Sequence, residues 1–374
     1  MQILKPGLPR RLRWALLFPA ALLLADYAAA RPALVETLYS RGLYRLVGQT
    51  LSHLTGRFPF SVAEAMLAAI FFAASVRLGR VILHLIRRQP GGGREAASLA
   101  ASAAAAAGVV YFSFIAVWGL NYYRLPFAAS AGLVVRPAQT GELAALVADL
   151  TARANTLREG LSEDAAGAMH LTAGKADALR RAEAGFAAAA PDYPFLAGRY
   201  GRPKGVFLSR LMSYAGISGV YFPFTAEANV NLDTPASQFP ATVCHEMAHQ
   251  RGIAREDEAN YIAYLVCTRH PDRDFRYSGV LLALLNAAGA LKRYAPEEYE
   301  VRRAAYGPGI ERDLAAIRAY RERYAGPVEE ISERINDAYL RSNRQADGVA
   351  SYGRMVDLLL AERRKNSQPG SDIY

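Results

Sequence analysis

The residues best suited to chemistry form the pentapeptide His245-Glu246-Met247-Ala248-His249. On an α-helix, side chains four positions apart project from the same face, so His245 and His249 can present two imidazoles to one ion. Glu246 projects about 100 degrees away from His245 and can reach a water molecule on that ion. The pattern therefore predicts a zinc site in which the histidines bind Zn²⁺ and Glu246 is the catalytic general base.

A helix is needed to hold these side chains on one face. Pro240 suits the first turn of a helix, and Gly252 stands where such a helix would end in a left-handed cap. We therefore expect the motif to lie on a helix that begins near Pro240 and ends at Gly252.

A catalytic zinc site usually has three protein ligands and keeps one position for water. Residues 255–265 begin with acidic side chains and continue as an apolar helix, which suits the positive end of a helix dipole. We expect Glu256 to be the third ligand, because Asn260 lies one turn later on the same face and could orient a histidine ligand. Glu258 and, after it, Asp257 are the alternatives, and capping of the helix would account for the acids that bind no metal.

Three apolar segments precede this region and predict membrane-spanning helices. Residues 96–123 carry no charge and end in an aromatic cluster, and weaker candidates cover 14–30 and 60–86. The first segment is alternatively a cleavable signal peptide, and the second is alternatively a buried or interfacial helix.

Basic residues flank these segments in two short clusters, at positions 10, 11 and 13 and at positions 87 and 88. Cytoplasmic loops of membrane proteins carry an excess of Lys and Arg. This rule predicts that the loop 31–58 and everything after residue 123 lie outside the cytoplasm, so the site would belong to an extracytoplasmic domain.

The rest of the chain indicates a mainly α fold with a small sheet. Two or three short strands are expected within residues 205–232, which are rich in β-branched and aromatic residues with Gly and Pro between them. Helical periodicity is found at 140–150, 173–190, 275–295, 310–324, 328–342 and 351–364. We therefore divide the chain into a membrane domain (1–130), an α+β domain (131–366) and a polar tail (367–374).

The composition argues against two other kinds of site. The chain has 44 basic and 34 acidic residues, but it contains no long basic run with interleaved aromatic residues, so we expect no nucleic-acid partner. Cys244 and Cys267 can form at most one disulfide; they would pair across two helices or remain separate buried thiols, and we expect neither to bind zinc.

The motif, followed by a helix that begins Glu-x-x-Ala-Asn, resembles the zincin metallopeptidases whose third ligand is a glutamate, the gluzincin arrangement. The longer string GVYFPFT (219–225), EANVN (227–231) and HEMAHQRGIAREDEAN (245–260) resembles a family of bacterial membrane proteins of unknown function, DUF3810. Three N-terminal spans and the stretch Ser351-Tyr352-Gly353-Arg354 fit this family too. The chain departs from most gluzincins in the short spacing between His249 and Glu256 and in having Asn260 where many have Asp.

Motif and resemblance together predict a membrane-anchored zinc metallopeptidase of the bacterial cell membrane, acting on a peptide or protein. A bound zinc ion lowers the pKa of its water and polarises a carbonyl, while Glu246 takes the proton and passes it to the leaving amine. Residues 219–231 would pair as an edge strand with the substrate or serve only as part of the sheet. The alternative function is a catalytically inactive scaffold or peptide-binding protein that retains the zincin fold.

Overall fold

The computed structural model describes residues 8–343, 345, 348 and 354–367. This part of the chain is mainly helical with one three-stranded sheet, which confirms the predicted fold class. The predicted tail, apart from residue 367, and residues 351–353 of the Ser351-Tyr352-Gly353-Arg354 stretch lie outside the described residues.

The N-terminal region begins with α1 (Leu8–Ala15) and α2 (Leu17–Ala29), and continues later with α5 (Val62–Ile86) and α6 (Gly92–Val117). Three helical stretches are long and apolar enough to cross a membrane: Leu12–Ala29, Val62–Ile86 and Gly92–Val117. The first two helices pack on α6, where a Cβ on Gly108 would lie 2.5 Å from the carbonyl oxygen of Trp14. A small residue at such a crossing lets two backbones approach closely.

The segment between the first two spans, expected only as a loop, is helical. It comprises α3 (Pro32–Leu34), a π-helix (Val35–Leu43) and α4 (Tyr44–Thr55). The third span ends at Val117 rather than at residue 123, because the chain continues as a 3-10 helix, Gly119–Tyr123. Aromatic side chains of both segments, among them Tyr39, Tyr44 and Tyr122, are buried in one cluster with Trp118 and Tyr221.

The globular region opens with α7 (Phe127–Ala131), α8 (Thr140–Arg158), α9 (Gly174–Arg181) and α10 (Glu183–Ala189). The single helix predicted at 173–190 is thus interrupted at residue 182. A 3-10 turn (Pro194–Leu196) and α11 (Ser209–Tyr214) follow.

The predicted strands form one mixed sheet. Its strands are β1 (Lys204–Val206), β2 (Gly219–Phe222) and β3 (Glu227–Asn231), in the order β1-β3-β2. The central strand β3 is buried throughout; it pairs parallel with β1 and antiparallel with β2. Strand β2 is therefore at one edge of the sheet.

Among the described residues that follow the sheet there are seven helices: α12 (Phe239–Gln250), α13 (Glu256–Arg269), α14 (Arg273–Tyr294), α15 (Pro296–Arg303), α16 (Pro308–Tyr324), α17 (Pro327–Ser342) and α18 (Met355–Asn366). Helix α14 packs against α8, α12 and α13 at the centre of the domain. The sequence predicted α14, α16 and α17 to within about two residues, but it missed the short helix α15.

Candidate metal centre

The motif lies on α12, which begins and ends as the sequence predicts. Pro240 occupies the first turn, and the chain reverses at Gly252, whose φ of 81° is left-handed. The backbone N–H of Ile253 donates to the carbonyl oxygen of Ala248 at 3.2 Å, which closes the helix end. A Cβ at position 252 would lie 2.8 Å from the ring of Tyr44, so glycine is needed here for space as well as for conformation.

The reversal at Gly252 brings the start of α13 back against the two histidines. The Nε2 atoms of His245 and His249 are 3.0 Å apart, and Glu256 Oε2 lies 3.1 Å and 3.4 Å from them, respectively. Ligands of a tetrahedral zinc ion, each about 2.0–2.1 Å from the metal, are about 3.3 Å from one another. The two imidazoles and the carboxylate therefore have the chemistry and the separations of a zinc ligand set.

The orientation of His249 is fixed by a backbone carbonyl. Its Nδ1 lies 2.6 Å from the carbonyl oxygen of Ile253, which only accepts, so Nδ1 carries a proton and Nε2 is the ring atom that faces the cluster and could bind a metal. Ile253 thus fills for His249 the role that the sequence suggested for Asn260. On the other ligand, His245 Nδ1 is buried and has no hydrogen-bond partner among the described residues.

The three acids at the start of α13 have different surroundings. Glu256 faces the histidines, whereas Glu258 Oε1 accepts from the backbone N–H of Phe127 at 2.8 Å and from Arg255 at 3.0 Å. Asp257 lies outside the cluster, and burial raises the pKa of its carboxyl to about 6. Of the three candidates, the structure brings only Glu256 together with His245 and His249.

The cluster attracts positive charge. Burial raises the pKa of Glu256, but the neighbouring imidazoles outweigh it and hold that pKa well below its usual range. For His249, burial alone would lower the pKa of the imidazole, but the carboxylate of Glu256 outweighs burial and raises that pKa to about 9. A buried anionic group between two imidazoles is a favourable environment for a divalent cation.

Glu246 lies beside the cluster, on the side of the sheet. The residue is 4% exposed, and Oε2 has no hydrogen-bond partner among the described residues. Burial raises the pKa of Glu246, while the charges of His245 and His249 oppose that rise. A Cβ on Gly219 would lie 2.5 Å from Glu246 Oε1, so the strand passes directly over the carboxylate.

The free edge of β2 faces the same carboxylate. The backbone N–H of Asn231 donates to Ser218 at 2.9 Å, which makes these two residues a hydrogen-bonded pair. Because such pairs alternate along an antiparallel ladder, the backbone groups of Gly219 and Tyr221 point away from β3. The N–H of Tyr221 donates to Glu246, and this places Glu246 along the edge.

Residues close to the spans support the end of α12, and the sequence analysis did not assign them to the site. Trp118 Nε1 donates to the carbonyl oxygen of His249 at 3.2 Å. The hydroxyl of Tyr44 donates to the carbonyl oxygen of Gln250 at 2.8 Å and lies 3.1 Å from the hydroxyl of Tyr221. The aromatic cluster after the third span was the available signal, but it is equally typical of a membrane interface.

Tyr339 is a further residue that the sequence analysis did not select. Its hydroxyl accepts from the hydroxyl of Tyr122 at 3.0 Å. Burial raises the pKa of Tyr339, the hydrogen bond from Tyr122 lowers it, and the nearby charge of Glu256 adds to the rise. The hydroxyl of Tyr339 is thus neutral, and its pKa responds to the charge of the candidate ligand Glu256.

The two cysteines are buried free thiols, on α12 and α13. No disulfide joins them, although the two thiols lie close enough to each other for a hydrogen bond. They line the contact between these helices, and neither belongs to the cluster of possible metal ligands.

Comparison with known proteins gives one match. A family model described as "Protein of unknown function (DUF3810)" matches residues 39–360. No curated protein and no solved structure matches the chain.

Proposed function

The chain belongs to the DUF3810 family of proteins of unknown function, and we propose that it is a membrane-anchored, zinc-dependent metallopeptidase. The observation that carries the proposal is the triangle of His245, His249 and Glu256, whose ligand atoms are 3.0–3.4 Å apart. The buried carboxylate of Glu246 beside that triangle supports hydrolysis rather than a purely structural metal.

Each residue has a distinct role in this proposal. His245, His249 and Glu256 hold the ion, and Ile253 fixes the ring of His249. When bound, zinc would acidify a water molecule and polarise the scissile carbonyl. Glu246 accepts a proton from the attacking water and delivers it to the leaving amine, and its raised pKa suits a group that must both take and return a proton.

Two further features support a peptide as the substrate. An extended peptide can add to the edge of β2, and Glu246 lies along that edge. Tyr339, whose pKa is raised in part by the charge of Glu256, is the hydroxyl that we propose to stabilise the oxyanion of the reaction.

We place the site on the extracytoplasmic side of a bacterial membrane, because the basic clusters at positions 10–13 and 87–88 would remain in the cytoplasm. Reporter fusions after residue 130 should be active only outside the cytoplasm. A cytoplasmic readout would reverse the orientation without affecting the metal site.

The proposed activity is tested with the purified full chain, zinc and a broad peptide library. Glu246→Gln should retain zinc and lose hydrolysis, whereas Glu322→Gln, on the exposed face of α16, should leave both unchanged. Hydrolysis by the Glu246→Gln protein would contradict the assignment of the base. A zinc-loaded wild type that cleaves no peptide would instead favour a scaffold or a peptide-binding protein.

A further inference from the structure

Three apolar side chains on and before α11 are exposed beside the sheet. Phe207 is 90% exposed, Leu211 is 61% exposed and Leu208 is 44% exposed. We call these three residues the α11 patch. Exposed apolar groups that lie next to one another commonly mark a surface that contacts a partner or a lipid.

The α11 patch is fixed to the first turn of the second span. Glu64, on α5, accepts hydrogen bonds from the backbone N–H groups of Phe207 at 2.9 Å and Leu208 at 2.7 Å. In return, Glu227 on β3 accepts from the backbone N–H groups of Val62 at 3.1 Å and Ala63 at 2.7 Å. The sheet therefore sits directly on the end of this span.

The length of the span places that end at the membrane surface. With 25 residues, α5 is about 37 Å long, against about 30 Å for the hydrocarbon core of a bilayer. Its first turn would consequently lie in the interfacial layer. Phe58 and Phe60, which lie within four residues before the span, are also exposed.

We propose that the α11 patch inserts into the interfacial layer of the bilayer beside the second span. Lipid is the occupant that fits, because Leu67 and Phe71 lie three and seven positions after Glu64, on the helix face that bonds the patch, and are exposed apolar side chains. Arg210, next to Leu211 in the chain, is exposed and can reach lipid phosphates. Apolar side chains at such sites enter the boundary by about 5–10 Å.

The insertion has a consequence for the substrate, which rests on the proposed function. The backbone N–H of Ile217 donates to Met212 on α11, and β2 begins two residues later. The edge strand is therefore held close to the bilayer surface. The substrates would be peptide segments next to the membrane, such as the juxtamembrane parts of anchored proteins.

Depth-dependent quenching tests the insertion without any assay of activity. Phe207→Trp is introduced into the full chain carrying Trp14→Phe, and the protein is reconstituted in vesicles of phosphatidylcholine and phosphatidylglycerol. Tyr294→Trp in the same background is the control, because Tyr294 is 75% exposed on α14, which packs against α8, α12, α13, α15 and α18. Trp118 is present in both proteins and gives a common signal.

Lipids brominated near the top of the acyl chain should quench Phe207→Trp at least about twofold more than Tyr294→Trp, because only the former would reach the acyl boundary. Equal quenching of the two proteins would overturn the insertion. Repeating the experiment without phosphatidylglycerol shows whether the depth depends on anionic headgroups. If the two proteins were quenched equally in vesicles without phosphatidylglycerol, the patch would be held by charge rather than by its apolar side chains. That result would also overturn the insertion.

The substrate class is tested with one peptide in two forms, free and lipid-anchored. The double variant Phe207→Ser and Leu211→Ser should cleave the anchored peptide several-fold more slowly and leave cleavage of the free peptide unchanged. An equal loss on both peptides would contradict the substrate class. If the wild type cleaves neither, the proposed function fails, while the quenching result still decides the insertion.

Discussion

At the scale of single residues, the site depends on a close approach between Gly219 and Glu246. The space above the carboxylate is filled by the backbone of β2, so any side chain at position 219 must displace Glu246. In the proposed mechanism, a displacement of Glu246 by a fraction of an ångström would weaken proton transfer and leave metal binding intact.

Gly219→Ala should therefore lower kcat by about 10- to 100-fold and leave the zinc content unchanged. Gly289→Ala is the matched control, because a Cβ at that position meets no atom within 4 Å. Peptidase kinetics and metal analysis on the two variants check the prediction. Normal kcat in Gly219→Ala would mean that Glu246 does not need its present position.

Substitutions of two acids at the start of α13 should distinguish a role in metal binding from a role in fold stability. Glu256→Ala should lower the affinity for zinc sharply, because it removes the carboxylate that faces both imidazoles. Glu258→Ala should keep zinc but lose about 1–3 kcal/mol of unfolding free energy, because the N–H of Phe127 loses its acceptor. Zinc titration and thermal unfolding distinguish the two, and a larger loss of zinc affinity at Glu258 would overturn the choice of ligand.

The sequence could predict His245, Glu246, His249 and Gly252 because all four residues lie within one short segment, residues 245–252, where helical geometry alone relates them. Glu256 needed one further assumption, a tight reversal, which the left-handed Gly252 supplies. Tyr339 could not be predicted in this way. Its place near Glu256 depends on the packing of α17 against residues more than 200 positions away, such as Tyr122.

At the scale of elements, the helices with a continuous apolar face were predictable and the juxtamembrane segment was not. Residues 35–55 are helical because they pack against distant parts of the chain. Glu36 forms a buried pair with Arg124, and Arg124 donates at 3.0 Å to the carbonyl oxygen of Gly252, directly after α12. No local periodicity encodes these contacts.

Arg124→Met should lower the unfolding free energy by about 3–5 kcal/mol, because it leaves the buried carboxylate of Glu36 without its main partner. Arg41→Met is the matched control. Arg41 bonds the same carboxylate, but its side chain is 49% exposed, so its loss should cost no more than about 1 kcal/mol. Unfolding in detergent micelles measures both, and equal losses would contradict the role given to Arg124.

At the scale of the whole molecule, the three candidate spans and the site form one continuous structure. The spans were predictable because a long uncharged segment is a local property of the sequence. The closeness of the spans to the site was not predictable, because it depends on hydrogen bonds from Trp118 and Tyr44 to the backbone carbonyls at the end of α12. A change in the packing of the spans should therefore alter the position of the histidines on α12 before it alters the rest of the domain.

The most direct test of the account is the zinc content of the full chain, purified without chelators from cells grown with zinc. The wild type should carry about one zinc ion per chain, and His245→Ala, which removes one of the two imidazoles, should carry almost none. A wild type without zinc, or a His245→Ala protein that retains as much zinc as the wild type, would contradict the central claim that these side chains form a metal site.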